Sequence, residues 1–272
     1  MFRKHFRPAL LLLCAGVLLA ACRPRYDVYL LIGQSNMAGR GFFEAADTLA
    51  PLEGVFLLDD RGEAVPAREP LNRYSTIRKA LSVQGMGPGH GFAEEMHRLN
   101  GRPVLLVVNA RGGSSLGQWL PDAPHGRFSD SPNEEEARRG QEMPSFYGEA
   151  VRRCRQALRY GRLKAILWHQ GESDSDSLRA STYLPALAEF VSALRKDLEV
   201  GEKVPFIAGQ IQPGHANARF FNPEIARIGE YVPNAFCVRS DGLETNPDRL
   251  HFTRDAQLEL GRRYAEILSG AD

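Results

Sequence analysis

Cysteine is scarce in this chain, with four in 272 residues, and none of the paired Cys or Cys/His spacings that hold zinc is present. That leaves no sign of a metal-built scaffold. A dominant charge is missing too: 34 Lys and Arg stand against 33 Asp and Glu, for a net charge of +1. Without a basic field or a long Lys/Arg run, nothing points to nucleic acid. Internal repeats and low-complexity tracts are absent. The one long apolar stretch, residues 8–20, is too short for a comfortable membrane span. What is there is ordinary for a soluble globular protein: 43% hydrophobic and 25% charged residues, in a chain long enough for one α/β domain with its own core.

The amino terminus reads as a targeting segment. Arg3, Lys4 and Arg7 precede the apolar stretch, and small residues follow it. Leu19-Ala20-Ala21-Cys22 resembles a bacterial lipoprotein processing site. Residues 1–21 are therefore expected to be a signal, Cys22 a lipidated first residue, and residues 22–27 a tether to a single domain over 28–272. That places the protein in a bacterial cell envelope, anchored outside the cytoplasm, with Arg23 after the cysteine favouring an outer membrane. The alternative is plain secretion or a periplasmic location. Cys154 and Cys237 remain, either as a disulfide or as two buried thiols.

Apolar runs mark strands at 26–32, 104–108, 163–168, 204–210 and 235–239, with a short one at 55–58. Helical spacing covers 88–99, 145–160, 178–198 and 253–268, with Thr253 a candidate cap, and a short helix lies within 213–231. Strands alternating with helices mean a parallel sheet of about five strands with helices on both faces. Residues 38–87 hold much loop that could roof a site, and 120–145 read as an insertion or lid.

Function in such sheets gathers at the carboxyl ends of the strands. Ser35 follows the first strand, with Gly33 before it to allow a sharp turn. Gly112 and Gly113 follow the 104–108 strand, Gln170 the 163–168 strand, and Asp248 and His251 the last. These types suit acyl transfer: a hydroxyl nucleophile, an imidazole base, a carboxylate to orient it, and donors for an oxyanion. Of seven histidines, only His251 has a carboxylate three residues ahead in a loop after the last strand. Asp248 could sit beside its ring within one turn. The Ser35 N–H, a glycine N–H at 112 or 113, and the Gln170 amide would make three donors. A rival serine exists, because Gly113-Ser114-Ser115-Leu116-Gly117 matches the G-x-S-x-G pattern. Several residues separate Ser115 from its strand, so Ser35 has the better context. Glu172 could partner His251 or be a buried structural acid. Arg111 could meet a substrate carboxylate or backbone carbonyls, Trp119 could stack on a sugar or pack in the core, and Asn36 could brace the turn.

Four ordered blocks, Gly33-Gln34-Ser35-Asn36-Met37, Ala110-Arg111-Gly112-Gly113-Ser114, Trp168-His169-Gln170-Gly171-Glu172 and Asp248-Arg249-Leu250-His251-Phe252, resemble the SGNH (GDSL-like) hydrolase superfamily. They look most like its sialate O-acetylesterase and carbohydrate esterase family 6 branch. The resemblance spans residues 28 to about 265. It implies a flavodoxin-like three-layer α/β/α sandwich and deacetylation of sugars, of the acetylxylan or sialate type, without a cofactor. It implies Ser35 as nucleophile, His251 as base and Asp248 as acid, with oxyanion donors from Ser35, Gly113 and Gln170. Glutamine at 170, where many members of the superfamily have asparagine, is a mark of the branch. The alternatives are a glycan O-acetyltransferase using the same site, and a carbohydrate-binding lipoprotein without catalysis.

Overall fold

The computed structural model describes residues 26–125 and 142–270. The signal, the Cys22 anchor, most of the tether and most of the 120–145 segment lie outside the described residues.

The first strand, β1 (Tyr26–Gly33), is buried at every position. Its even residues Val28, Leu30 and Ile32 face one apolar layer, and its odd residues Tyr29 and Leu31 face another. Period-two alternation with both faces apolar is what a strand covered on each side requires. β1 takes in Tyr26 and Asp27, as the strand reading of 26–32 has it, so these two residues belong to the sheet and not to the 22–27 tether.

The other strands are β2 (Val55–Leu58), β3 (Ala64–Pro66), β4 (Val104–Ala110), β5 (Gly161–His169), β6 (Phe206–Gly209) and β7 (Ala235–Val238). The sheet therefore has seven strands, in the order β3-β2-β4-β1-β5-β6-β7, rather than about five. All neighbours pair in parallel except β2 and β3. β3 escaped sequence reading because it is three residues long and ends in proline. Both traits belong to an edge strand, where a missing N–H costs no ladder bond.

Helices α2 (Gly89–Asn100) and α6 (Arg254–Gly270) cover one face. Helices α3 (Phe146–Ala157), α4 (Ser177–Asp197) and α5 (Ala218–Ile225) cover the other. This is the three-layer α/β/α sandwich. Thr253 caps α6, its hydroxyl accepting the Ala256 N–H at 3.3 Å. Cys154 is buried on α3, Cys237 is half-buried on β7, and both are free thiols. Because β1 pairs with β4 and β5 through its last residue, Gly33, the exits of three strands meet at one edge.

Candidate active site

The turn after β1 is made by glycine for a steric reason. Gly33 has φ +138°, and a Cβ there would lie 2.2 Å from the backbone oxygen of His169. The same oxygen accepts the Gln34 N–H at 2.9 Å, and the Gly33 oxygen accepts the Arg111 N–H at 2.9 Å. The β1 exit is thus held between the ends of β4 and β5. A single helical turn, α1 (Ser35–Ala38), starts at once, with Ser35 as its first residue.

Ser35 is buried apart from a small opening, at 6% exposure. Its Oγ lies 2.9 Å from His251 Nε2. On the far side of the ring, His251 Nδ1 lies 2.7 Å from Asp248 Oδ2. The other Asp248 oxygen accepts the N–H groups of Leu250 and His251, each at 2.9 Å. Arg249, at the tip of this turn, adopts a left-handed φ of 58°. One carboxylate thus shapes the backbone of the turn and fixes the ring that the turn presents.

The electrostatics follow the same geometry. Burial in the cleft holds the His251 pKa below its ordinary value, although Asp248 pulls it upward. Partial burial works to raise the Asp248 pKa, but the N–H groups of His251 and Leu250 and the His251 ring outweigh it and lower the pKa. The lowered His251 pKa favours the neutral ring, and in the tautomer with the proton on Nδ1 that proton meets Asp248 and leaves Nε2 as an acceptor beside Ser35.

Gly112 is buried against Ser35. A Cβ on Gly112 would sit 3.6 Å from the Ser35 Cβ and 2.6 Å from an Arg40 Nη2. Gly113 is exposed, with φ +75° and nothing within 4 Å of its Cβ position. Among the described residues no acceptor takes the backbone N–H of Ser35, Gly112 or Gly113.

Gln170 is placed differently from the expectation. It is fully buried, and its Nε2 lies within bonding distance of Gln34 Oε1 (3.0 Å), Ser114 O (3.1 Å) and Asp174 Oδ2 (2.6 Å). Its Oε1 accepts from the Tyr183 hydroxyl at 2.6 Å. An amide nitrogen carries only two hydrogens, so this group is spent on ties between the β1, β4 and β5 exits. Its place favours a brace rather than an oxyanion donor.

The remaining candidates separate cleanly. Ser115 lies at the head of a turn of its own, its N–H donating to Gln118 Oε1 at 2.9 Å, and among the described residues no histidine bonds its hydroxyl. Trp119 is fully buried against Trp168 and Phe146, so it packs in the core. Arg111 is buried and donates to the carbonyls of Ile77 and Arg78, tying the 38–87 segment to the β4 exit. Glu172 bonds Asn36 Nδ2 at 2.6 Å, not His251. Sequence reasoning missed two residues. Gln34 is the hub for Gln170, and Arg40 lies beside Gly112. Burial first, and then neighbouring Arg111, lowers the Arg40 pKa to about 10. Only their closeness to Ser35 in the chain could have drawn notice. No group of three or more His, Cys, Asp or Glu side chains that could hold a metal ion occurs among the described residues.

Residues 25–269 match the family model described as carbohydrate esterase, sialic acid-specific acetylesterase. A probable carbohydrate esterase of Arabidopsis thaliana is 30% identical over 261 residues, covering 89% of this chain and 90% of the relative. The solved Arabidopsis structure superposes with a TM-score of 0.74 at 27% identity, over 91% of this chain and 99% of the other. The structure of NanS shares the fold, with a TM-score of 0.63 at 18% identity, over 91% of this chain and 98% of the other. A carbohydrate acetylesterase from Xanthomonas citri does so at 0.59 and 16%, over 90% of this chain and 57% of the other. With nearly its whole described length inside one family and its chemistry-bearing side chains gathered at one sheet edge, the chain belongs to the carbohydrate esterase, sialic acid-specific acetylesterase family and is a carboxylic ester hydrolase.

Proposed function

We propose that this protein removes O-acetyl groups from carbohydrate through an acetyl-enzyme on Ser35. The observation that carries the proposal is the unbroken chain of contacts from Ser35 Oγ to His251 to Asp248, at 2.9 and 2.7 Å. Ser35 Oγ attacks the acetyl carbonyl carbon while His251 Nε2 takes its proton. The carbonyl electron pair moves onto oxygen, facing the N–H groups of Ser35 and Gly112. The intermediate collapses, the bond to the sugar oxygen breaks, and His251 returns the proton to that oxygen. Water then repeats the sequence in reverse on the acetyl-enzyme and releases acetate. Losing one oxyanion donor typically costs on the order of 10²–10³ in rate. Gly112 is favoured over Gly113 because it lies against the nucleophile.

The test is acetate release from acetylated xylo-oligosaccharides and from O-acetylated N-acetylneuraminic acid, with the sugar product identified. Free acetate and the matching free hydroxyl are expected from at least one. No release from either, or acetyl recovered on an added acceptor sugar, would overturn the proposal.

The pH dependence has a definite sign. The base must be neutral, and burial lowers the His251 pKa from its ordinary value of about 6.5. With 4-nitrophenyl acetate, kcat/KM should therefore rise with pH through a midpoint below about 6.5 and be level across neutrality. A midpoint above 7 would contradict the assignment of His251.

A further inference from the structure

Asn36 follows the nucleophile in the chain and is fully buried. Its Nδ2 donates to Glu172 Oε1 at 2.6 Å and to the Leu250 carbonyl at 3.3 Å. Its Oδ1 accepts the Phe252 N–H at 3.1 Å and a Gln257 Nε2 hydrogen at 3.2 Å. All four bonding positions of the amide are used. Leu250 and Phe252 are the residues on either side of His251. The side chain next to the nucleophile therefore grips the backbone both before and after the base. We infer that Asn36, oriented by Glu172, is the positioning residue that sets the reach between Ser35 and His251. The inference rests on the triad reading above and goes beyond it.

The chemistry explains why an amide stands here. One end of the grip needs a donor, for the Leu250 carbonyl, and the other needs an acceptor, for the Phe252 N–H. An Asn or Gln amide offers two donors at one end and two acceptors at the other from one planar group that does not titrate, and Asn is the shorter of the two. A flipped amide would set N–H against N–H and oxygen against carbonyl. Glu172, an acceptor on the donor end, opposes that flip. A second tie comes from Asn246, whose Nδ2 donates to the Arg40 carbonyl at 3.0 Å and to the Phe252 carbonyl at 3.4 Å and whose N–H donates to the His251 carbonyl at 2.8 Å; Asn36 differs in gripping the loop both before and after His251 from the residue next to Ser35.

Glu172 is an expensive residue to keep if packing were its only role. Its Oε2 is buried with no hydrogen-bond partner among the described residues, and burial pushes its pKa up to about 7. Burying a carboxyl group with one oxygen left without a partner disfavours the folded state. An apolar side chain would avoid that cost but would leave the Asn36 amide without its orienting acceptor.

The experiment is a double-mutant cycle on the full chain, read as kcat and KM with 4-nitrophenyl acetate and by thermal unfolding. Asn36→Ala should lower kcat by about 100-fold, the scale of a 1 Å misplacement, with KM within about threefold. Glu172→Gln keeps an acceptor oxygen and should stay within about threefold of the parent, while Glu172→Leu should lose about tenfold in kcat. Because Glu172 acts through Asn36, adding Glu172→Leu to Asn36→Ala should change nothing more. The inference fails if Asn36→Ala keeps its kcat, if Glu172→Gln falls as far as Glu172→Leu, or if the two changes are additive. Should Asn36→Ala not fold, the Gln and Leu variants of Glu172 decide by the same criterion. Failure here is distinct from failure of the triad: an inactive Ser35→Ala beside an unimpaired Asn36→Ala removes this inference alone.

Discussion

Ser35→Ala is expected to lose ester hydrolysis by about 10⁴-fold or more in kcat while unfolding at nearly the parent temperature. The first half follows from the division of labour at the site. His251 can only accept a proton that a hydroxyl at its Nε2 supplies, and Ser35 Oγ is the group 2.9 Å away. The rival serine of the sequence, Ser115, lies in its own turn beside Gln118. The second half follows from what the hydroxyl does not hold. Its one hydrogen-bond partner among the described residues is His251 Nε2, and the turn that carries His251 is tied down by Asn36 and Asp248. Alanine also suits the first position of α1. Hydrolysis of 4-nitrophenyl acetate together with a thermal melt checks both. Retention of a tenth of the parent rate by a folded Ser35→Ala protein would remove Ser35 as nucleophile.

Gly33→Ala is expected to cost stability rather than only rate, by about 3–5 kcal/mol. Two separate penalties combine. The φ of +138° lies in a region that residues with a Cβ rarely adopt, and the new methyl carbon would sit 2.2 Å from the His169 oxygen and 2.7 Å from its carbonyl carbon. Those atoms are backbone at the end of β5, so no side chain can swing aside. Relief requires β1 to move off β5 or the Gln34 N–H to His169 O bond to break. Either movement carries Ser35 away from His251, so activity should fall with stability. Urea unfolding measures the first and kcat the second. A loss below about 1 kcal/mol, the size of an ordinary surface change, would show that the β1 exit yields more easily than its contacts imply.

Strands buried on both faces announce themselves. β1, β4 and the second half of β5, from Ala165, are nearly unbroken apolar runs because each must be covered above and below there. β3 carried no such run, since an edge strand three residues long has little to bury. The site divides in the same way. That Ser35, Asp248 and His251 would meet was legible because strand exits in a parallel sheet share an edge. The role of Gln170 was not legible. Its place just beyond β5 is the same whether the amide faces the cleft or, as here, turns inward to Gln34, Asp174 and Tyr183. Trp119 and Arg111 each had two readings in the sequence, and burial chose between them: core packing for the one, backbone carbonyls for the other.

The sequence by itself determined the alternation of elements, the parallel three-layer architecture and which side chains were candidates for the site, because periodicity and residue chemistry are local properties of the chain. The tertiary structure alone decided which groups touch. That Asn36 reaches Leu250 and Phe252, that Glu172 serves Asn36 rather than His251, and that Gly112 rather than Gly113 lies against Ser35 are facts about segments far apart in the chain. Contact across such separations depends on strand register and on the direction each side chain takes at its strand exit, and neither is written in local spacing.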